Sequence, residues 1–85
     1  MDNIWITKAK HIKDYQIKLE FNDGSSGIVD LKNDLDKPIF RPLNDITFFK
    51  KFKLNSWTLE WENGADFAPE FLYERTNKNV PQNGV

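Results

Sequence analysis

The sequence contains no cysteine, which excludes disulfide bonds and thiolate metal ligands. It also has no run approaching the ~18 apolar residues of a membrane-spanning helix, and no charged-then-apolar leader. A chain without cysteine suits a reducing compartment. We therefore expect a cytoplasmic protein with no membrane association.

An excess of charge of one sign is missing as well, because 12 basic and 13 acidic residues leave a net charge of −1. Nucleic-acid-binding domains usually have a pI above ~9 or one strongly basic face. Lysines are concentrated in only two short segments, which we expect to be solvated surface. A nucleic-acid-associated regulator remains an alternative, and it would use Lys8, Lys10, Lys13, Lys50, Lys51 and Lys53.

Residues for nucleophilic catalysis are scarce, because His11 is the only histidine. There is no glycine-rich phosphate loop. Asp30, Asp34 and Asp36 lack the glycine and terminal glutamate of a calcium-binding EF-hand loop, and we expect them to be turn residues. The sequence therefore predicts a protein that is not an enzyme and that has no cofactor and no bound metal.

Aromatic residues, in contrast, are abundant, with 3 Trp, 7 Phe and 2 Tyr in 85 residues. Each buries roughly 150–250 Å², so a small domain with this composition can form a dense core without disulfide bonds. The length predicts a single domain over residues 1–74. Residues 75–85 are polar with proline and glycine, and we expect a disordered tail there.

Alternating apolar residues predict the strands. Residues 15–22 have one apolar and one polar face, and Asp23-Gly24 then favours a hairpin turn into a third strand over residues 27–31. The β-branched and aromatic residues 4–7 begin a first strand that reaches towards Ile12, with a bulge or an edge position. Residues 57–62 form the fourth strand, with their apolar side chains on one face.

Two helices complete the predicted fold. Asn44-Asp45 provides an N-cap for a helix of about two and a half turns, and Pro69 favours the first turn of a second helix. The resulting order, β-β-β-α-β-α, predicts an α+β domain. It would consist of a mostly antiparallel four-stranded sheet with two short helices on one face.

The segment WENGADFAPE, residues 61–70, combines an amide, small residues and acids. Asp66 and Glu70 would form a pair for acid–base chemistry in a small enzyme if they shared a face. Alternatively, Asp66 caps a turn and Glu70 complements the amino end of the second helix. We favour the structural roles and keep Asn63, Asp66 and Glu70 as candidate ligand-facing residues.

Trp5, Phe48 and Trp57 exceed the aromatic area that one helix-covered face of a small sheet needs to bury. Exposed aromatic patches mark partner surfaces, so these three residues are the candidate interface. The first strand, as an exposed edge, would pair with a second copy in a homodimer or with another protein. The sequence thus predicts a non-enzymatic protein-interaction module.

Several short motifs follow one another along residues 21–73 in an order that resembles a bacterial family of small uncharacterised proteins, domain of unknown function 2442. The resemblance covers about residues 4–74. It implies a small sheet with helices, and no established catalytic residue. Genes of this family often lie beside another small gene, which implies one member of a two-gene toxin–antitoxin-like pair. The motifs are Phe21-x-Asp23-Gly24, Val29-Asp30-Leu31, Phe40-x-Pro42-Leu43-x-Asp45 and Trp61-x-Asn63-Gly64-Ala65-Asp66-x-Ala68-Pro69-Glu70-x-Leu72-Tyr73.

Overall fold

Three consecutive antiparallel strands form the centre of the structure, a computed structural model that describes residues 3–79. They are β1 (Ile6–Lys13), β2 (Gln16–Phe21) and β3 (Ser26–Asp30). β1 is an edge strand of this sheet. Its register shifts near both ends, which confirms the bulge that the interrupted alternation predicted.

The alternation of β2 determines which face of the sheet carries the core. Ile17 and Leu19 are fully buried, whereas Lys18 between them is exposed. Val29 continues the buried face in β3, and Ile28 lies on the other face with 41% of its surface exposed. Because successive side chains of a strand point to opposite faces, one side of the sheet is apolar and the other is wet, as predicted.

The turn between β2 and β3 has the predicted hairpin chemistry. Gly24 has φ +88°, a conformation that costs glycine little because it has no Cβ. The Asp23 Oδ1 atom accepts hydrogen bonds from the Ser25 amide at 2.9 Å and from the Ser25 hydroxyl at 2.6 Å. The side chain therefore holds the turn in place from within.

The first predicted helix is correct in its start and wrong in its length. The Asp45 side chain accepts a hydrogen bond from the Thr47 amide at 3.0 Å and caps α1 (Ile46–Phe49), which is a single turn. The chain then turns at Lys50, and it becomes extended again at Lys53. α1 is preceded by two short 3-10 helices, Lys32–Asp34 and Pro38–Asn44.

The predicted fourth strand does not join the central sheet. β4 (Lys53–Leu54) and β5 (Leu59–Glu60) instead pair with each other as a separate two-stranded ribbon. The reason lies in Asn55, whose side-chain oxygen accepts hydrogen bonds from the amides of Trp57 and Thr58 at 2.7 and 2.8 Å. Those bonds fold the start of the predicted strand into a turn.

The second helix, α2 (Pro69–Arg75), begins at the predicted proline. Aromatic contacts show where both helices pack. The ring of Phe49 in α1 lies 4.9 Å from that of Tyr15, and the ring of Tyr73 in α2 lies 5.0 Å from that of Phe21. Among the described residues, 3–79, no helix is long and apolar enough to cross a membrane.

The predicted tail begins too early. Arg75 is the last residue of α2, and β6 (Asn77–Asn79) pairs antiparallel with β3 and becomes the fourth strand of the sheet. Polar composition was the basis of the prediction, but strand pairing satisfies backbone groups and does not require apolar side chains. Residues 80–85 lie outside the described residues, and disorder there stays a prediction.

Trp61 lies between the helices and the loops that cover the sheet. It is 3% exposed, and its indole Nε1 donates a hydrogen bond to the Phe49 carbonyl at 2.8 Å. Its ring lies 5.9 Å from that of Phe67 and 6.1 Å from that of Phe52. The aromatic abundance of the sequence is thus used in a packed cluster beneath α1 and α2.

Candidate functional site

Two of the three predicted interface residues are exposed and lie at one site. Trp57 has 61% of its surface exposed and Trp5 has 37%. Both line the same cavity of about 410 Å³, which we call the Trp5–Trp57 groove. Phe48 is half-buried in α1 and is not among the lining residues, which are Asn3, Ile4, Trp5, Asn55, Trp57, Thr58, Asp66, Phe67, Ala68, Pro69 and Glu70.

The backbone of Trp5 is held by a single neighbouring residue, Asn22. Asn22, at the end of β2, accepts a hydrogen bond from the Trp5 amide at its Oδ1 atom, at 2.9 Å. Its Nδ2 donates to the Asn3 carbonyl at 2.9 Å, and its own amide donates to the Trp5 carbonyl at 3.0 Å. The segment that enters β1 is therefore fixed against the β2–β3 turn, and it presents the Trp5 indole from an ordered backbone.

The backbone of Trp57 is held from two directions. Its amide donates to Asn55 in the turn between β4 and β5, and its carbonyl accepts a hydrogen bond from the Ile6 amide at 2.8 Å. The second bond joins the ribbon to the start of β1, so it connects the two elements that carry the tryptophans. Next to it, the buried hydroxyl of Thr58 donates a hydrogen bond to the Phe67 carbonyl at 2.7 Å. This bond attaches residues 66–70, which form the third wall of the groove.

Asp66 and Glu70 belong to this third wall. Glu70 is in the first turn of α2 as predicted, but Asp66 does not cap a turn, since its carboxylate accepts no hydrogen bond from residues 3–79. Both acids are exposed, and within residues 3–79 neither carboxylate has a hydrogen-bond or ion-pair partner. The groove therefore has two uncompensated negative charges beside two indoles.

Asn63 is not among the residues that line the groove, and its role as a ligand-facing residue stays a prediction. Its Oδ1 atom accepts a hydrogen bond from the Ala65 amide at 3.2 Å, and its Nδ2 atom donates to the Ile39 carbonyl at 3.0 Å. With both ends of the amide occupied, Asn63 closes the turn that Asp66 was predicted to cap. The amide of an asparagine followed by glycine is a signal for this role.

The six lysines of the nucleic-acid alternative do not form one acid-free surface. Two of them, on β1, line a depression together with Glu20. Two others line a second depression with Glu60 and Glu62, and Lys53 also lies opposite Glu60 in the ribbon. All six are exposed: Lys8, Lys10, Lys13, Lys50, Lys51 and Lys53.

Two of the three acids in and after β3 have partners, and the Asp36 side chain is exposed without one among residues 3–79. Asp34 forms an ion pair with Arg75 of α2, and Asp30 accepts a hydrogen bond from the Lys32 amide at 3.0 Å. The described part of the chain contains no group of three or more His, Cys, Asp or Glu side chains arranged to hold a metal ion.

The sequence reasoning missed a contact between Asp23 and Tyr73. The Tyr73 hydroxyl donates a hydrogen bond to the Asp23 Oδ2 atom at 2.6 Å. Hydrogen bonds from Ser25 and Tyr73 lower the pKa of Asp23, and the bond to this carboxylate raises the pKa of Tyr73. Both residues lie in the family motifs, 50 positions apart, and this was the signal that could have paired them.

One of three comparisons with known proteins gives a match. The family model described as "Protein of unknown function (DUF2442)" matches residues 6–78, which is most of the chain. No curated protein and no solved structure gives a match. The matched range includes β1, both helices and most of β6, so it spans nearly all of the fold described above. The chain therefore belongs to the DUF2442 family of proteins of unknown function.

Proposed function

We propose that the protein is a non-enzymatic interaction module that binds a protein partner in the Trp5–Trp57 groove. The observation that carries the proposal is the exposure of two indoles, 61% and 37%, on backbones that hydrogen bonds hold in place. Leaving a large apolar side chain exposed forgoes on the order of 1.5–3 kcal/mol of burial. An ordered aromatic surface also loses little conformational entropy when a partner binds.

The edge of β1 supports binding less well than the groove does. Its first residue, Ile6, already donates its amide to Trp57. Further along, β1 carries Lys8, Lys10 and Lys13, and lysines on an edge strand oppose pairing with another strand. A homodimer formed through this edge would bring the lysines of two copies together, so we place the partner contact in the groove.

Catalysis has weaker support than binding at this site. The cavity contains two carboxylates, but its lining residues include no histidine or lysine as an acid–base partner. The sole histidine, His11, lies in β1, where its Nε2 atom is 2.8 Å from the Asp14 carbonyl and its ring packs near Phe49. An enzyme that uses Asp66 and Glu70 alone is therefore the lesser alternative.

The test is co-purification with the product of the neighbouring gene, the candidate second member of a toxin–antitoxin-like pair. We expect the wild-type protein to retain this product and Trp57→Ala to lose it, because the substitution removes one wall of the groove. Ile28→Ala is the matched control, since Ile28 is exposed on the other face of the sheet. A wild-type protein that stays monomeric by solution mass and retains no protein would contradict the proposal, as would equal retention by both variants.

Of the six lysines of the nucleic-acid alternative, Lys8 and Lys10 line one depression together with Lys18 and a single acid, Glu20. Contacts to phosphate strengthen as the salt concentration falls. A gel shift at low salt that disappears with added salt, and with Lys8→Ala/Lys10→Ala, would favour this alternative. We expect no shift.

A further inference from the structure

The charged residues that line the groove indicate the charge of the ligand that binds there. This inference rests on the proposed function. The lining residues include two acids, Asp66 and Glu70, and no lysine or arginine. Elsewhere on the surface acids and bases are mixed: Lys51 and Lys53 share a depression with Glu60 and Glu62. A partner with a positive charge would complement the groove, whereas an acidic partner would be repelled.

The side chains beside the acids favour a cation that also has a flat apolar surface. Trp5 and Trp57 line the groove and are exposed, and a guanidinium stacks on indole faces while it forms paired hydrogen bonds with carboxylates. An ammonium is more strongly hydrated and does not stack. Ala68 and Pro69 add apolar contact area next to Glu70.

We propose that the Trp5–Trp57 groove binds an arginine side chain of the partner, presented by a short segment with apolar residues on either side. The guanidinium lies against the indole of Trp57 and is paired with Asp66 and Glu70. The carboxyl-terminal residues 80–85 of this chain contain no lysine or arginine, so they do not supply the cation.

The three tryptophans provide a direct measurement of binding, because each indole N–H gives its own signal in a nitrogen–proton correlation spectrum. The probe is the peptide acetyl-Gly-Leu-Arg-Leu-Gly-amide. We expect it to shift the signals of Trp57 and Trp5 in a saturable way. The signal of Trp61 is the internal control, since its N–H is buried and bonded to the Phe49 carbonyl.

The decisive comparison replaces the arginine of the peptide by citrulline, which has nearly the same shape and no charge. We expect binding to weaken by about tenfold or more, because the cation–indole and carboxylate contacts are lost together. The Asp66→Asn/Glu70→Gln protein should lose affinity for the arginine peptide to a similar extent. Glu62→Gln, an exposed acid outside the groove, should leave the affinity unchanged.

Equal affinity for the arginine and citrulline peptides would overturn the inference, and so would a lack of any Trp57 shift at millimolar arginine peptide. Neither result bears on the co-purification test. A groove that retains its partner in a Trp57-dependent manner but does not distinguish the two peptides would keep the proposed function and refute the arginine. Conversely, loss of partner retention together with arginine-specific shifts would refute the proposed function and keep the arginine site.

Discussion

The Asp23 carboxylate accepts three hydrogen bonds, two from Ser25 and one from the Tyr73 hydroxyl. Through them a single side chain closes the β2–β3 turn and joins it to α2. The ring of Tyr73 also packs edge-on against Phe21, 5.0 Å away. At the scale of residues, this contact joins the Asp-Gly turn to a tyrosine 50 positions away in the sequence.

We expect this contact to make stability depend on pH at both extremes. The pKa of Asp23 is below its ordinary value of 3.8, so its contribution is present above that pH and is lost as the pH falls through the folded-state pKa. The pKa of Tyr73 is above its ordinary value of 10.0, so its contribution is present below that pH and is lost as the pH rises through the folded-state pKa. Both groups are exposed to solvent, which keeps the effects small.

Urea unfolding of Asp23→Asn and Tyr73→Phe checks this prediction. Compared with wild type, Asp23→Asn should lose less stability between neutral pH and about pH 2, and Tyr73→Phe should lose less above about pH 10. Asp36→Asn is the control, because the Asp36 side chain is exposed and has no hydrogen-bond partner among residues 3–79. If the stability of both variants changed with pH as that of the wild type does, the contact would contribute nothing to the pH dependence of stability.

At the scale of elements, the turn after β5 positions the third wall of the groove. The Trp61 amide donates to the Ala65 carbonyl and the Gly64 amide donates to the Trp61 carbonyl, both at 2.9 Å. Gly64 has φ +90°, a left-handed conformation that disfavours any residue with a Cβ. The site at Asp66 therefore depends on a glycine two residues before it.

We expect Gly64→Ala to lower the free energy of unfolding by about 1–2 kcal/mol, because alanine is strained in this conformation. An added Cβ would have no atom within 4 Å, so steric contact adds nothing to this cost. Urea unfolding measures the loss. Gly64→Asn should cost less, since asparagine tolerates left-handed backbone better than alanine does, and an alanine variant as stable as wild type would refute the argument.

The elements that follow local patterns could be predicted, and those that depend on competing side-chain bonds could not. The alternation in β2, the cap at Asp45 and the proline start of α2 are all readable over a few residues. In residues 57–62 the same alternation was misleading, because Asn55 binds the amide of Trp57 and withdraws it from a strand. Hence Trp57 is exposed, although its spacing from buried Trp61 predicted a shared face.

The candidate site could also be predicted only in part, because local patterns indicated its residues but not how they come together. An excess of aromatic residues predicted an interface at Trp5 and Trp57, and the acids of WENGADFAPE were candidates for ligand contact. Their convergence in one groove depends on the bond from the Ile6 amide to the Trp57 carbonyl, between residues far apart in sequence. No local pattern encodes such a bond, so the two sets of candidates were treated as separate sites.

At the scale of the whole molecule, the family match ends at residue 78, within β6. This strand pairs with β3 on the side of the sheet away from β1. By covering the edge of β3, β6 also limits pairing with foreign chains at that side. The domain therefore extends beyond the boundary at residue 74 that its composition predicted.

Two truncated chains test where the domain ends. We expect the chain of residues 1–79 to unfold at the same urea concentration as the full protein, since residues 80–85 are predicted to be disordered. The chain of residues 1–76 should unfold at a lower concentration, because β3 loses the backbone hydrogen bonds that it forms with β6. Identical midpoints for both truncations would show that β6 does not stabilise the domain.

The hydrogen bond between the Ile6 amide and the Trp57 carbonyl has a further consequence for measuring occupancy. An amide exchanges its proton for deuterium only when such a bond opens, so the exchange rate of Ile6 reports how often the sheet and the ribbon separate. A molecule that contacts both Trp5 and Trp57 would hold these two elements together. Its binding would therefore slow exchange at one backbone position, which would report an occupied groove without any label on the ligand.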